Sequence, residues 1–157
     1  MSSDYSIKPV LILGVGNILM KDEGVGVHVV NRMMEMGDDI PSGVEVIDGG
    51  TAGFDLIPLM RDRKKIVIVD ALSMDDAPGS IYRFRPDDVD SARRGYSLHE
   101  VSILQVIRTL QMMGDDPEIE IIGIVPEDMA TLEISLSDAV MEAVPKAISA
   151  VMDAVAG

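Results

Sequence analysis

Three aliphatic runs in this chain each give way to glycine or to a lone acid. Val10-Leu11-Ile12-Leu13 breaks into Gly14-Val15-Gly16-Asn17 and then the acidic pair Asp22-Glu23, Val44-Glu45-Val46-Ile47 stops at Asp48 before Gly49-Gly50, and Ile66-Val67-Ile68-Val69 stops at Asp70. Short β-branched runs of this kind suit central strands covered on both faces by helices. Segments of helical period alternate with them, the mark of a layered α/β domain with right-handed crossovers. In a parallel sheet the carboxyl ends of the strands share one edge, so acids distant in sequence gather into one crevice. Close carboxylates resist ionising together unless a cation relieves the repulsion. A cation site is therefore the first functional expectation.

The expected fold is a three-layer α/β/α sandwich around a mostly parallel five-stranded sheet with one antiparallel edge strand. Strands are expected at 10–15, 44–47, 66–69 and 119–125, the last stopped by Pro126. Residues 80–85 alternate polar and apolar, which favours a half-exposed edge strand. A helix over 24–36 turns Val25, Val29, Val30 and Met33 to the sheet and His28, Asn31, Arg32 and Glu35 to water. A short helix is expected within 51–60. Another opens at Ser97-Leu98-His99-Glu100, where Ser97 and Glu100 form a capping box. The last runs over 137–155, with Pro145 expected to kink it. The segment 86–96 is polar and reads as a surface loop or short helix. No repeat, low-complexity tract or linker is evident, so 1–157 is taken as a single domain.

A chain of 157 residues can bury roughly 70% of its unfolded surface without a staple. Its core must be aliphatic, because it has two Phe, three Tyr and no Trp. Twelve Met are most simply gap fillers. The net charge of -14 repels polyphosphate and anionic lipid, which argues against nucleic acid and membrane surfaces. No apolar stretch approaches the ~20 residues of a bilayer span, and the amino terminus lacks a basic flank. A cytoplasmic monomer is expected. Cysteine is absent, which removes disulfides, thiolate metal sites and cysteine nucleophiles together. Any metal must be held by oxygen and imidazole.

The turn at 14–19 invites a dinucleotide reading, but Leu19 stands where the third glycine belongs and the acids that follow oppose a phosphate. Taken singly, Asp22 is a helix N-cap, Glu23 a first-turn acid favoured by the helix dipole and Asp48 a turn former. Convergence with Asp70, which follows four β-branched residues, argues for more. Of the two histidines, His28 falls on the polar side of its helix. His99 begins a helix beside the crevice and is the better ligand or proton carrier. The HExxH zinc pattern fails, because Ile103 stands where its second histidine would be. A phosphoacceptor receiver, a signalling module with an acid pair after strand one and an aspartate after strand three, is the rival layout. It lacks the glycine turn found here and carries a lysine after strand five, where this chain has Val125-Pro126-Glu127.

Taken together, Leu13-Gly14-Val15-Gly16-Asn17-Ile18-Leu19 with Asp22-Glu23-Gly24-Val25-Gly26-Val27, then Asp48-Gly49-Gly50-Thr51-Ala52-Gly53, Asp70-Ala71, Ser97-Leu98-His99 and Gly123-Ile124-Val125-Pro126-Glu127 resemble the hydrogenase maturation endopeptidases. The resemblance implies a cytoplasmic protease, aspartyl-type in character, that removes the carboxyl-terminal extension of a nickel-iron hydrogenase large-subunit precursor after nickel insertion. It implies Glu23, Asp70 and His99 as metal contacts. Asp48 would be a catalytic residue beside the site, and Gly49, Gly50 and Thr51 would be substrate contacts. The nickel would arrive with the precursor, leaving the site of the isolated protein empty or holding a surrogate divalent ion. Many members carry Pro and Gln around the histidine where this chain has Leu98 and Glu100. A non-catalytic nickel or precursor chaperone would use the same ligands.

Overall fold

In the computed structural model, residues 7–92 and 98–157 are described, with the side chains of all but 90–92 and 98–102. The strands are β1 (Val10–Val15), β2 (Val44–Gly50), β3 (Lys65–Ala71), β4 (Ile81–Phe84) and β5 (Glu118–Ile124); the helices are α1 (Val25–Met34), α2 (Ile57–Met60), α3 (Leu98–Met112) and α4 (Asp138–Ala156). One sheet holds all five strands in the order β2-β1-β3-β5-β4. The pairs β1/β2, β1/β3 and β3/β5 are parallel, and β4 runs antiparallel to β5 at the edge. That is the expected α/β class. A receiver's parallel flavodoxin-like order differs from this one.

Alternation along the buried strands sends successive side chains to opposite faces. Ile12, Val67, Val69, Ile122 and Ile124 pack with Val25, Val29, Val30 and Met33 of α1 and with Val140, Val144 and Val151 of α4. Leu11, Leu13, Ile66, Ile68 and Ile121 pack on the other face with Leu56, Met60 and Ile103, Val106 and Leu110 of α3. The three layers follow from these two cores.

Several boundaries differ from expectation for identifiable reasons. β2 continues through Asp48, Gly49 and Gly50, because the glycines still pair with β1: Gly14 faces Asp48, Val15 faces Gly50, and the register shifts between them. β3 likewise continues past Asp70 to Ala71, pairing with Gly123 and Ile124. The expected 51–60 helix is a 3-10 turn, Gly53–Leu56, followed by α2. The polar segment opens as a 3-10 helix, Pro86–Ala92. The capping box at Ser97 and Glu100 lies outside the described residues. Pro145 is inside α4.

Charge also enters the sheet where the sequence looks merely amphipathic. Glu120 is buried and accepts from Arg83, whose Nη2 lies 3.0 Å from Oε2, while Lys65 Nζ stands 3.3 Å from the same oxygen. The Arg83 hydrogen bond, with Lys65 assisting, holds the Glu120 carboxyl below the usual carboxylate range despite its burial.

Candidate active site at the carboxyl edge of the sheet

The glycines around β1 let α1 close onto the strand ends. A Cβ on Gly26 would stand 2.1 Å from the Val69 carbonyl oxygen and 2.7 Å from that of Val15, and one on Gly16 would stand 2.1 Å from the Glu23 carbonyl oxygen. Such distances are below any tolerable contact, so backbone meets backbone at this corner. Gly16 has a φ of 140°, a conformation other residues rarely adopt. The 3-10 turn Lys21–Gly24 packs against β3, the strand that carries Asp70. Glu23 belongs to that turn and Asp70 to that strand.

Asp70 is almost completely buried, with 1% of its surface exposed, and its Oδ1 accepts the Ala71 amide at 2.8 Å. Glu23 is half-buried, and its carboxylate makes no hydrogen bond or ion pair among the described residues. Asp22 has a different occupation from the one expected. It does not cap α1, whose N-cap is Gly24. Its buried carboxylate instead accepts the Glu127 and Asp128 amides at 3.0 Å each, and the Ser137 amide at 2.8 Å and hydroxyl at 2.7 Å. Ser137 is the N-cap of α4. Asp22 therefore complements the dipole of α4, a relationship with no local signature because the partner is 115 residues away.

Asp48 is exposed and its Oδ1 accepts the Gly50 amide at 3.0 Å, while Asn31 Nδ2 lies 3.5 Å from Oδ2. The turn-forming role uses Oδ1, and the second oxygen has only the long contact to Asn31 among the described residues. The extra residue in β2 is Gly49, whose Cβ would meet Leu13 and Leu56 at 2.9 Å. Bulges of this sort re-aim neighbouring side chains. A cleft of about 330 Å³ is lined by Gly16, Asn17, Ile18, Leu19, Val27, Asp48, Gly50 and Thr51. Asn17 shapes its rim, its Oδ1 accepting the Leu19 amide at 3.0 Å.

Ile103 of α3 lines both a cavity shared with Gly50 and Thr51 and one shared with Asp70. The amino-terminal half of α3 therefore bridges the two acid-bearing strand ends. Position 99 is one helical turn before Ile103 on the same face. The side chain of His99 lies outside the described residues, and among the described ones no group of three His, Cys, Asp or Glu is placed to hold a metal. His28 is half-buried and its Nε2 lies 3.1 Å from the Ile134 carbonyl oxygen, a structural tie rather than a solvated surface position.

The loop after β5 packs against the Lys21–Gly24 turn. Glu133 is held below its usual range by the Ser135 hydroxyl and by Lys21, whose own pKa the Glu133 hydrogen bond raises. The Thr131 hydroxyl and the Ala130 and Thr131 amides lower that of Asp128.

A layered α/β sheet with cavities along the carboxyl ends of its parallel strands defines a class of ligand-binding and catalytic domains. Residues 27–154 match the family model described as HycI, hydrogenase maturation protease. The Hydrogenase 2 maturation protease of Escherichia coli (strain K12) is 36% identical over 123 residues, covering 76% of this chain and 74% of the relative. Among solved structures, the hydrogenase maturating endopeptidase HybD from E. coli has a TM-score of 0.82 at 34% identity, covering 93% of this chain and 91% of that one. The NiFe hydrogenase maturation protease HybD from Thermococcus kodakarensis has 0.78 at 30%, covering 92% and 97%. The chain belongs to the hydrogenase maturation protease family, and it is a peptidase. No helix among the described residues is long and apolar enough to cross a membrane.

Proposed function

We propose that this protein is the endopeptidase that removes the carboxyl-terminal extension of a nickel-iron hydrogenase large-subunit precursor, with Glu23, Asp70 and His99 contacting nickel that the precursor already carries. The reading is supported by the packing of the Lys21–Gly24 turn, with its otherwise uncommitted Glu23, on the strand that carries the buried Asp70, in a chain of this family. Asp22 is saturated by four donors and is excluded as a contact. The donor set fits a borderline divalent ion: two carboxylates and one imidazole, with no thiolate. Such a set leaves coordination positions open for ligands from the substrate and binds weakly alone.

Asp70 is held in one orientation by the Ala71 amide and by burial, so it offers a fixed carboxylate oxygen. Glu23 supplies the second oxygen from the facing turn, and His99 the nitrogen from the start of α3. The precursor chain lies along the cleft, where Gly50 and Thr51 permit close backbone approach; Gly49, expected as a third contact, is buried against Leu13 and Leu56 and does not line it. Asp48, anchored through Oδ1, uses Oδ2 to take the proton from water attacking the scissile carbonyl and returns it to the departing amine nitrogen as the C–N bond breaks. Recognition thus precedes cutting: only a metal-loaded precursor completes the contacts that seat the peptide.

The test is incubation of the purified protein with nickel-loaded and nickel-free precursor. A shortened product from the loaded form alone supports the reading. Binding without cleavage in both would identify a precursor chaperone instead.

A further inference from the structure

We infer that Asp22 is a positioning residue for Glu23, locking the Lys21–Gly24 turn to the loop after β5 so that the neighbouring carboxylate is presented to the site. The inference rests on the reading of Glu23 as a metal contact. Two adjacent acids here have opposite fates. Asp22 is fully buried and uses both oxygens on Glu127, Asp128 and Ser137, whereas Glu23 makes no hydrogen bond or ion pair among the described residues. In a 3-10 turn successive side chains are about 120° apart. A turn that sends Asp22 into the loop sends Glu23 away from it, and the turn packs on β3, which carries Asp70.

The lock has further bonds. The Asp22 amide donates to the Asp128 carbonyl at 3.0 Å, the Lys21 amide to the Glu133 carbonyl at 2.8 Å and the Glu133 amide to the Leu19 carbonyl at 2.9 Å. Lys21 has a φ of 49°, a left-handed conformation that a non-glycine residue keeps only when its surroundings impose it. On the far side the Glu23 amide donates to the Met20 carbonyl at 3.1 Å, and its own carbonyl lies against Gly16. The Glu23 backbone therefore has little freedom while the lock holds.

Asp22→Asn tests this, because an amide NH2 must oppose an N–H donor in either orientation. The control is Val151→Ala, a core truncation in α4 remote from the corner. Precursor cleavage, cadmium binding by calorimetry and amide exchange of residues 20–24 are measured well below each melting temperature. Asp22→Asn is expected to lower kcat/KM by about 10²-fold, chiefly through a raised KM, to weaken cadmium binding and to accelerate exchange at Glu23 and Gly24, while Val151→Ala changes none of these. Asp22→Asn matching the control, with Glu23→Gln inactive, overturns the inference and leaves the metal reading standing. Glu23→Gln that cleaves and binds cadmium normally overturns the metal reading, and this inference with it. If Asp22→Asn does not fold, Ser137→Ala removes one of the four donors; a smaller shift of the same kind supports the lock and no shift overturns it.

Discussion

The Cα of Gly26 lies so close to the Val69 carbonyl that a Cβ would stand 2.1 Å away from its oxygen. That approach seats the start of α1 on the end of β3, and the turn that carries Glu23 packs on the same strand. Gly26→Ala should force the helix off the strand, since the neighbour is backbone and cannot rotate aside. A loss of about 1–3 kcal/mol is expected in urea unfolding, together with reduced precursor cleavage. Unchanged values of both would mean that the close approach does not set the corner.

Asp48→Asn and Asp48→Ala separate two roles of one side chain. Asparagine keeps an oxygen for the Gly50 amide, so its unfolding free energy should stay within about 0.5 kcal/mol of the parent while cleavage falls by about 10²-fold. Alanine should lose the turn as well. Full cleavage by Asp48→Asn would remove Asp48 from the chemistry.

His28→Ala should leave cleavage within about twofold, because the imidazole serves the Ile134 carbonyl, and should cost about 1 kcal/mol of stability. A large loss of cleavage at unchanged stability would point to the wrong histidine having been assigned.

Stability should fall in acid through Glu120. Its folded pKa is depressed by Arg83 and Lys65, so its contribution is complete above the unfolded value of about 4.3 and is lost as the pH falls through the folded value. Asp76, Asp128 and Glu133 are shifted in the same direction and add to the trend. Glu120→Gln should be about 1–3 kcal/mol less stable near neutrality and should show a shallower acid loss. Thermal melts at several pH values check both; an unchanged slope would contradict the assignment.

The strands and the two cores were legible because burial on both faces leaves a continuous aliphatic signal, as in Leu11, Ile12 and Leu13 or Ile66 to Val69. Where meaning depends on a distant partner, sequence was a poor guide. Gly49 and Gly50 look like a turn, yet the β1 backbone keeps them in the sheet. Asp22 looks like the cap of the helix it precedes, yet it serves α4. Lys65 and Glu120 lie on different strands, and only the β3/β5 pairing reveals a buried charge pair. The acids themselves were found because strand ends are easy to see. Residue type alone did not separate Asp22 from Glu23; the family resemblance implied Glu23, and the fold shows Asp22 committed to the α4 end.

The central claim is that Glu23, Asp70 and His99 meet around one ion. A crystal structure of the protein soaked with cadmium, with anomalous data locating the metal, tests it most directly. The account predicts one ion bound by the Glu23 and Asp70 carboxylates and the His99 imidazole. Cadmium held elsewhere, with these three side chains facing separate regions of solvent, would contradict it.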